Sequence, residues 1–191
     1  ASDVYKRQIV GGSCNCVTGC SNRSSIIGGC YNSICDHSCY SSILGGQYNK
    51  VCGYDNSESS GSCYSSIIGG CCNVIKRDSS FSSIVGGYRN CICSASDYST
   101  VIGGCCNRIC NGSDHSGIFS GGWNKIVESE KSVVLGGNNN HIQFSGNPAT
   151  NAARGFSTNI FGGGGSIVNL NATGSDANVF NSIIYGSNLS V

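Results

Sequence analysis

Apolar and polar residues along this chain recur in one short phrase. Adjacent apolar pairs, Ile26-Ile27, Ile43-Leu44, Ile67-Ile68, Ile84-Val85 and Val101-Ile102, each follow Ser or Thr (Ser24-Ser25, Ser41-Ser42, Ser65-Ser66, Ser82-Ser83, Ser99-Thr100) and precede Gly-Gly. An Asn comes next, with a β-branched residue two positions after it: Asn32 and Ile34, Asn49 and Val51, Asn73 and Ile75, Asn90 and Ile92, Asn107 and Ile109, Asn140 and Ile142. The Gly-Gly pairs begin at 11, 28, 45, 69, 86, 103, 121 and 136, in steps of 17, 17, 24, 17, 17, 18 and 15. Self-similarity at a fixed short period marks a repeat architecture, in which each unit buries its apolar surface against its neighbours.

A 17-residue unit is too short for a helical-hairpin repeat, which needs about 33 residues. Its Ser, Gly, Asn and β-branched content disfavours helix and favours short strands between turns. At ~3.3 Å per residue the unit supplies about 56 Å of chain, one coil of a narrow parallel β-solenoid with strands stacked ~4.8 Å apart. Gly-Gly marks a bend where positive φ or a missing Cβ is useful. The predicted fold is therefore all-β, a parallel β-solenoid of about ten coils and on the order of 50 Å long.

Equivalent positions of such a rod stack into columns. One column holds Asn15, Asn32, Asn49, Asn73, Asn90, Asn107 and Asn140, whose amides are expected to bond up and down the stack. A second holds Val17, Ile34, Val51, Ile75, Ile92, Ile109, Ile126 and Ile142, and a third Tyr40, Tyr64, Phe81 and Tyr98. Side chains alternate across a strand. With Ile26 inside its coil, Ile27 faces out, as do Leu44, Ile68, Val85, Ile102 and Leu135, and the aromatics Tyr40, Tyr64, Phe81 and Tyr98 share that parity. This predicts an exposed apolar stripe, covered by identical stripes in a homo-oligomer. The competing arrangement is a wider coil whose bend turns both residues of each pair inward.

Residues 1–8 do not match the repeat and are expected to be a non-native tail or sequencing scar. The regular array occupies 9–142, with a longer step near Gly53 to Gly61, and degenerate coils occupy 143–191, past an insertion around Pro148. Asn159-Ile160-Phe161-Gly162-Gly163 and Ser182-Ile183-Ile184-Tyr185-Gly186 are two worn copies. With no Met, even at position 1, the chain reads as a processed product or fragment whose true N-terminus and signal are not in view.

Composition narrows the function classes. A net charge of +1 gives no electrostatic case for nucleic acid or an anionic membrane surface. No apolar run approaches the ~20 residues that span a bilayer as helix. No phosphate-binding loop, nucleophile elbow or zinc-protease motif occurs, and Asp plus Glu number only 10, with no evident carboxylate pair for acid–base work. No catalytic residue, cofactor or metal site is expected. Cys35-Asp36-His37-Ser38-Cys39 clusters possible zinc ligands but without the paired spacing of structural sites.

The 15 cysteines all lie between 14 and 110. Column neighbours near 4.8 Å fall inside the ~4.4–6.8 Å Cα separation that a disulfide accepts, so Cys35–Cys52, Cys93–Cys110 and Cys39–Cys63 are eligible staples, suited to an extracellular or virion setting. The alternative is that these Cys act as small apolar residues in a reduced compartment. The vicinal pairs Cys71-Cys72 and Cys105-Cys106 are expected to point to opposite faces.

The phrase Ser-[Ile/Val]-[Ile/Leu/Val]-Gly-Gly-x-x-Asn-x-[Ile/Val], over about 9–142, resembles the head repeats of trimeric autotransporter adhesins of the YadA type, and related repeats in phage and large-virus tail fibres. The resemblance implies a left-handed parallel β-roll, three chains side by side, and attachment at a cell or virion surface to an unknown receptor or glycan. The function expected is that of a non-enzymatic structural or adhesive fibre. An ice-binding solenoid, using the hydroxyl ladder Ser25, Ser42, Ser66, Ser83 and Thr100, is one alternative; a polysaccharide-active solenoid enzyme, which needs carboxylates in a groove, is another.

Overall fold

The structure, a computed structural model, describes residues 6–35, 37–53, 61–76, 78–145, 155–171 and 182–186. Among these residues every strand pairing is parallel and there is no helix. A ten-stranded sheet runs from Gln8–Val10 to Ser182–Ile184, and a nine-stranded sheet from Cys16–Val17 to Ile167–Asn171. The chain alternates between them, laying one rung on each per turn. A third ladder of isolated parallel bridges, Ser13 to Cys30 to Gln47 to Cys71 and onward to Gly164, lies between the two sheets in each turn. The protein is a β-solenoid with a period of about 17 residues, as its repeat predicts; seven turns open on a buried Ser, at Ser24, Ser41, Ser65, Ser82, Ser99, Ser116 and Ser132.

Strand alternation decides which residue of each apolar pair is buried. Ile26, Ile43, Ile67, Ile84 and Val101 are fully buried, whereas Ile27, Leu44, Ile68, Val85 and Ile102 are exposed. The wider coil with both residues inward is thereby excluded. The second sheet contributes Ile34, Val51, Ile75, Ile92, Ile109, Ile126 and Ile142 to the same core, with Val17 half-buried at its end. Ile118, Val134, Phe144, Ile160 and Val168 extend the core through the later turns, and the buried polar positions are Ser and Asn, with Thr158 in a late turn.

The buried Ser and Asn groups are satisfied between rungs, which matters because an orphaned group in such a core costs ~1–3 kcal/mol. Asn32 accepts at Oδ1 from the backbone N–H of Asn49 at 3.0 Å and donates from Nδ2 to the Gly46 carbonyl at 3.0 Å. The expected amide-to-amide column is thus replaced by amide-to-backbone bonds, repeated at every Asn through Asn140. Ser166 stands where the next Asn would, and its N–H still donates to Asn140 Oδ1 at 3.1 Å. Ser24 Oγ donates to the Ser38 carbonyl at 2.8 Å and accepts from the Ser41 N–H at 3.0 Å.

The two glycines of each pair do different work. A Cβ on Gly104 would be driven against the backbone carbonyl of Gly121, one turn on, whereas a Cβ on Gly103 would meet nothing within 4 Å. Only the second position requires glycine for space. This explains a correction to the sequence alignment. Thr100 pairs with Gly117 and Gly117 with Val133, so the true match to Gly103-Gly104 is Ser120-Gly121 rather than Gly121-Gly122. The apparent 18- and 15-residue steps are in register 17 and 16.

The first rung begins at Gln8, which pairs with Ser25, so the array takes in the last residue of the segment set apart by sequence. The worn copies continue both sheets: Thr158–Ile160 follows Val133–Val134, Ser182–Ile184 follows in turn, and Ile167–Asn171 extends the second sheet. Asp36, residues 54–60 and the segment around Pro148 lie outside the described residues.

Candidate functional site

With the inward positions fixed by packing, the chemistry of the molecule lies in its outward columns. On the first sheet the expected stripe Ile27, Leu44, Ile68, Val85, Ile102 and Leu135 is exposed, and the register adds Val10, Phe119, Phe161 and Tyr185 to it; the ten side chains are 38% to 69% exposed. Phe119 was hidden from the sequence reading by the misplaced glycine pair. Two positions earlier on the same outer face runs a half-buried hydroxyl column, in which Ser83 and Thr100 hydroxyls lie 3.2 Å apart.

The aromatic column forms at the corner that enters this sheet. Each member adopts a left-handed backbone, with φ of 56° at Tyr40, 57° at Tyr64, 56° at Phe81 and 54° at Tyr98. The bend projects the rings outward in one pile, with centroids 4.7, 4.8 and 4.9 Å apart and planes within 6° of parallel. The pile extends further than residue type suggested. His115 stacks on Tyr98 at 4.9 Å, and the Arg23 guanidinium sits 5.3 Å from the Tyr40 ring centre. Because the rings use their faces on each other, only edges and hydroxyls face outward. That suits packing against another surface better than stacking on a sugar ring.

The second sheet presents thiols and cations. Cys91 and Cys93 lie on one strand, directly in register with Arg108 and Cys110 on the next. Cys93, Cys110 and Val127 form a small buried cluster with Cys91 against it. Cys93 is the acceptor of the group: hydrogen bonds from Cys110 and then Cys91 hold its thiol below the usual range, with Arg108 Nη2 3.8 Å away. The reciprocal bonds to Cys93, together with burial, push Cys91 and Cys110 up. Of the staple candidates, Cys35 and Cys52 are also register partners, and the Cys63 thiol accepts the Cys39 N–H at 3.3 Å. All fifteen cysteines are in the thiol state in this structure.

The fold also gathers acidic groups that no motif flagged. Asp97 Oδ1 accepts the Ser80 N–H at 2.6 Å, and Asp114 Oδ1 accepts the Asp97 N–H at 2.9 Å. Burial, and secondarily the charge of Asp114, raises the Asp97 carboxyl above the usual carboxylate range. These carboxylates cap backbone donors one turn back, the place Cys39 and Cys63 hold earlier in the same column. The pairing is thus accounted for by rung-to-rung stacking. Among the described residues no group of three or more His, Cys, Asp or Glu is arranged to hold a metal ion.

The vicinal cysteines contradict their expected placement. Cys71 and Cys105 occupy the isolated-bridge ladder, but Cys72 and Cys106 adopt left-handed φ of 61° and 59°. Alternation holds only while successive residues are extended, and the left-handed step returns the second side chain to the side of the first. The thiols end 3.3 Å apart in Cys71-Cys72 and 3.1 Å apart in Cys105-Cys106.

Among the described residues no helix is long and apolar enough to cross a membrane. Comparison with protein-family models, with curated proteins and with solved structures returned no match.

Proposed function

We propose that this chain is a segment of a non-enzymatic structural or adhesive fibre, a rigid β-rod whose copies lie side by side along the outer face of the first sheet. The homotrimer implied by the likeness to YadA-type heads and viral tail fibres is the assembly favoured. The observation that carries the reading is the unbroken apolar column from Val10 to Tyr185, flanked by the aromatic pile. Contiguous exposed apolar surface beyond a few hundred Å² marks an interaction site in a soluble protein. Each column side chain is about half exposed, so covering it is worth ~1 kcal/mol and the whole column on the order of 10 kcal/mol per chain. Association costs ~4–15 kcal/mol, and the ring edges beside the column supply the surplus. A rod that repeats its outward groups at every turn binds multivalently, so weak contacts with a receptor or glycan on a cell or virion surface add up. In that oxidising setting Cys35–Cys52, Cys93–Cys110 and Cys39–Cys63 close as staples between rungs.

The ice-binding alternative draws less support. The hydroxyl column stays in register across the long step between Ser42 and Ser66 but is replaced by Gly117, Val133 and Asn159 further on. The test is sedimentation equilibrium at micromolar concentration. An oligomer is expected, reduced to monomer by Ile68→Lys with Ile102→Lys while the β-sheet circular dichroism is unchanged. A wild-type chain that remains a well-behaved monomer overturns the proposal.

A further inference from the structure

Fibre assembly leaves the corner ladder between the sheets unexplained. Three consecutive turns place Cys71-Cys72, Tyr88-Arg89 and Cys105-Cys106 at equivalent positions there. The pairing is direct: Cys71 bridges Tyr88 and Tyr88 bridges Cys105, while the Arg89 N–H donates to the Cys71 carbonyl at 3.0 Å and the Cys106 N–H to the Tyr88 carbonyl at 2.8 Å. Arg89 is thereby held between two vicinal dithiols, its guanidinium 5.1 Å from the Tyr88 ring centre. All four cysteines are half-buried, with thiols within 3.3 Å and 3.1 Å of their neighbours.

We propose that Cys71-Cys72 and Cys105-Cys106 are a pair of reversible oxidation sites, each closing to a vicinal disulfide on reaction with a hydroperoxide. Arg89 serves both.

The step balances as follows. A thiolate sulfur of one pair attacks the peroxide, forming an S–O bond as the O–O bond breaks, and the hydroxide or alkoxide that leaves takes a proton from solvent to become water or an alcohol. The sulfenic acid so formed is attacked by the neighbouring sulfur; the S–S bond forms, the S–O bond breaks and water departs. The peroxide is reduced and two thiols are oxidised. Closing from the observed separation to a bond of ~2.05 Å needs a shift of only about 1 Å. The outward corner allows it without disturbing the Ile, Asn or Ser columns. Within each pair the shared hydrogen bond keeps one proton on sulfur: it raises Cys71, bonded to Cys72, and Cys106, bonded to Cys105, with burial adding to both and Arg89 opposing. Arg89 lies on the turn between the two pairs, and a nearby cation favours the thiolate that attacks a peroxide.

The test uses the full chain, reduced and then titrated with hydrogen peroxide, blocked with a maleimide and mapped by tandem mass spectrometry. Cys71-Cys72 and Cys105-Cys106 are expected to lose their labels first, as linked pairs within their own peptides. Replacing Arg89 by Gln should slow that loss about tenfold while the circular dichroism stays the same. A second readout needs no variant: the chain should take up two equivalents of phenylarsine oxide, each condensing with two adjacent thiols and releasing water, and these four cysteines should be protected from the maleimide. The proposal is overturned if these four are still labelled when other cysteines have oxidised, if they link to partners elsewhere in the chain, or if the arsenical protects a different set.

Discussion

The turn from Ser82 to Tyr98 and the turn from Ser116 to Lys131 agree inside and disagree outside. Five core positions are Ser82, Ile84, Asn90, Ile92 and Ser96 in one, and Ser116, Ile118, Asn124, Ile126 and Ser129 in the other, the same residue type at each of the five. Their outward positions share almost nothing: Val85 against Phe119, Arg89 against Trp123, Cys91 against Lys125, Tyr98 against Lys131; beneath the second sheet's outer face, buried Cys93 stands against Val127. The rung is specified by a handful of inward residues and the hydrogen bonds they close on the next rung. The outward residues are free to carry chemistry, and the cysteines outside the buried set Cys35, Cys52, Cys93 and Cys110 are part of that cargo rather than of the frame.

The largest expected effect comes from striking the frame itself. Gly104→Ala forces a Cβ into the Gly121 carbonyl and should cost on the order of 4 kcal/mol or abolish cooperative unfolding. Gly103→Ala meets open space and only the left-handed backbone penalty, about 1–2 kcal/mol. Urea unfolding followed by circular dichroism separates the two; equal losses would mean that the close approach between rungs is not what selects the second glycine. Next, Ile92→Ala and Ile126→Ala should each cost ~2–5 kcal/mol and by similar amounts. A clear excess at Ile92 would show the thiol-rich exterior contributing to the frame after all.

Smaller changes probe the exterior. Phe81→Ala removes a ring stacked on both sides, by Tyr64 and Tyr98, and each such contact is worth ~0.5–1.5 kcal/mol beyond burial. The loss should read as a modest fall in the urea midpoint with the slope unchanged. The smallest effect is electrostatic. Asp97 has its carboxyl raised in the folded state by burial, so its contribution favours folding at acid pH and is lost as pH rises through the folded value. Asp97→Asn keeps an oxygen for the Ser80 N–H and should flatten that decline, leaving the variant relatively more stable at neutral than at acid pH. An unchanged pH profile removes Asp97 from consideration.

Much of this molecule was legible because a strand's two-residue alternation and a fixed period leave few choices. Ile26 in and Ile27 out follows from that alone, as do the two core columns. What escaped depended on backbone conformation that residue type does not announce. Ser120 replaces a glycine because only the second site is crowded, which no count of Gly-Gly pairs reveals. Arg23 and His115 belong to the aromatic pile by position rather than by kind. The joined thiols of Cys71-Cys72 needed the left-handed step at Cys72, and the Asp97–Asp114 contact spans one full turn.

One regularity in the register has a consequence for how such a rod changes length. The 24-residue step from Ser42 to Ser66 places its extra residues after Cys52, the 26-residue step from Val133 to Asn159 places them after Phe144, and the shortened turn loses its residue just after Glu128. All three changes fall at the corner that leaves the second sheet, while the stretch from the opening Ser through both sheets keeps a constant count. That corner is a port: peptide can be spliced in or trimmed there with the rest of the ring untouched, so a grafted epitope would be displayed at a height set by the rung chosen.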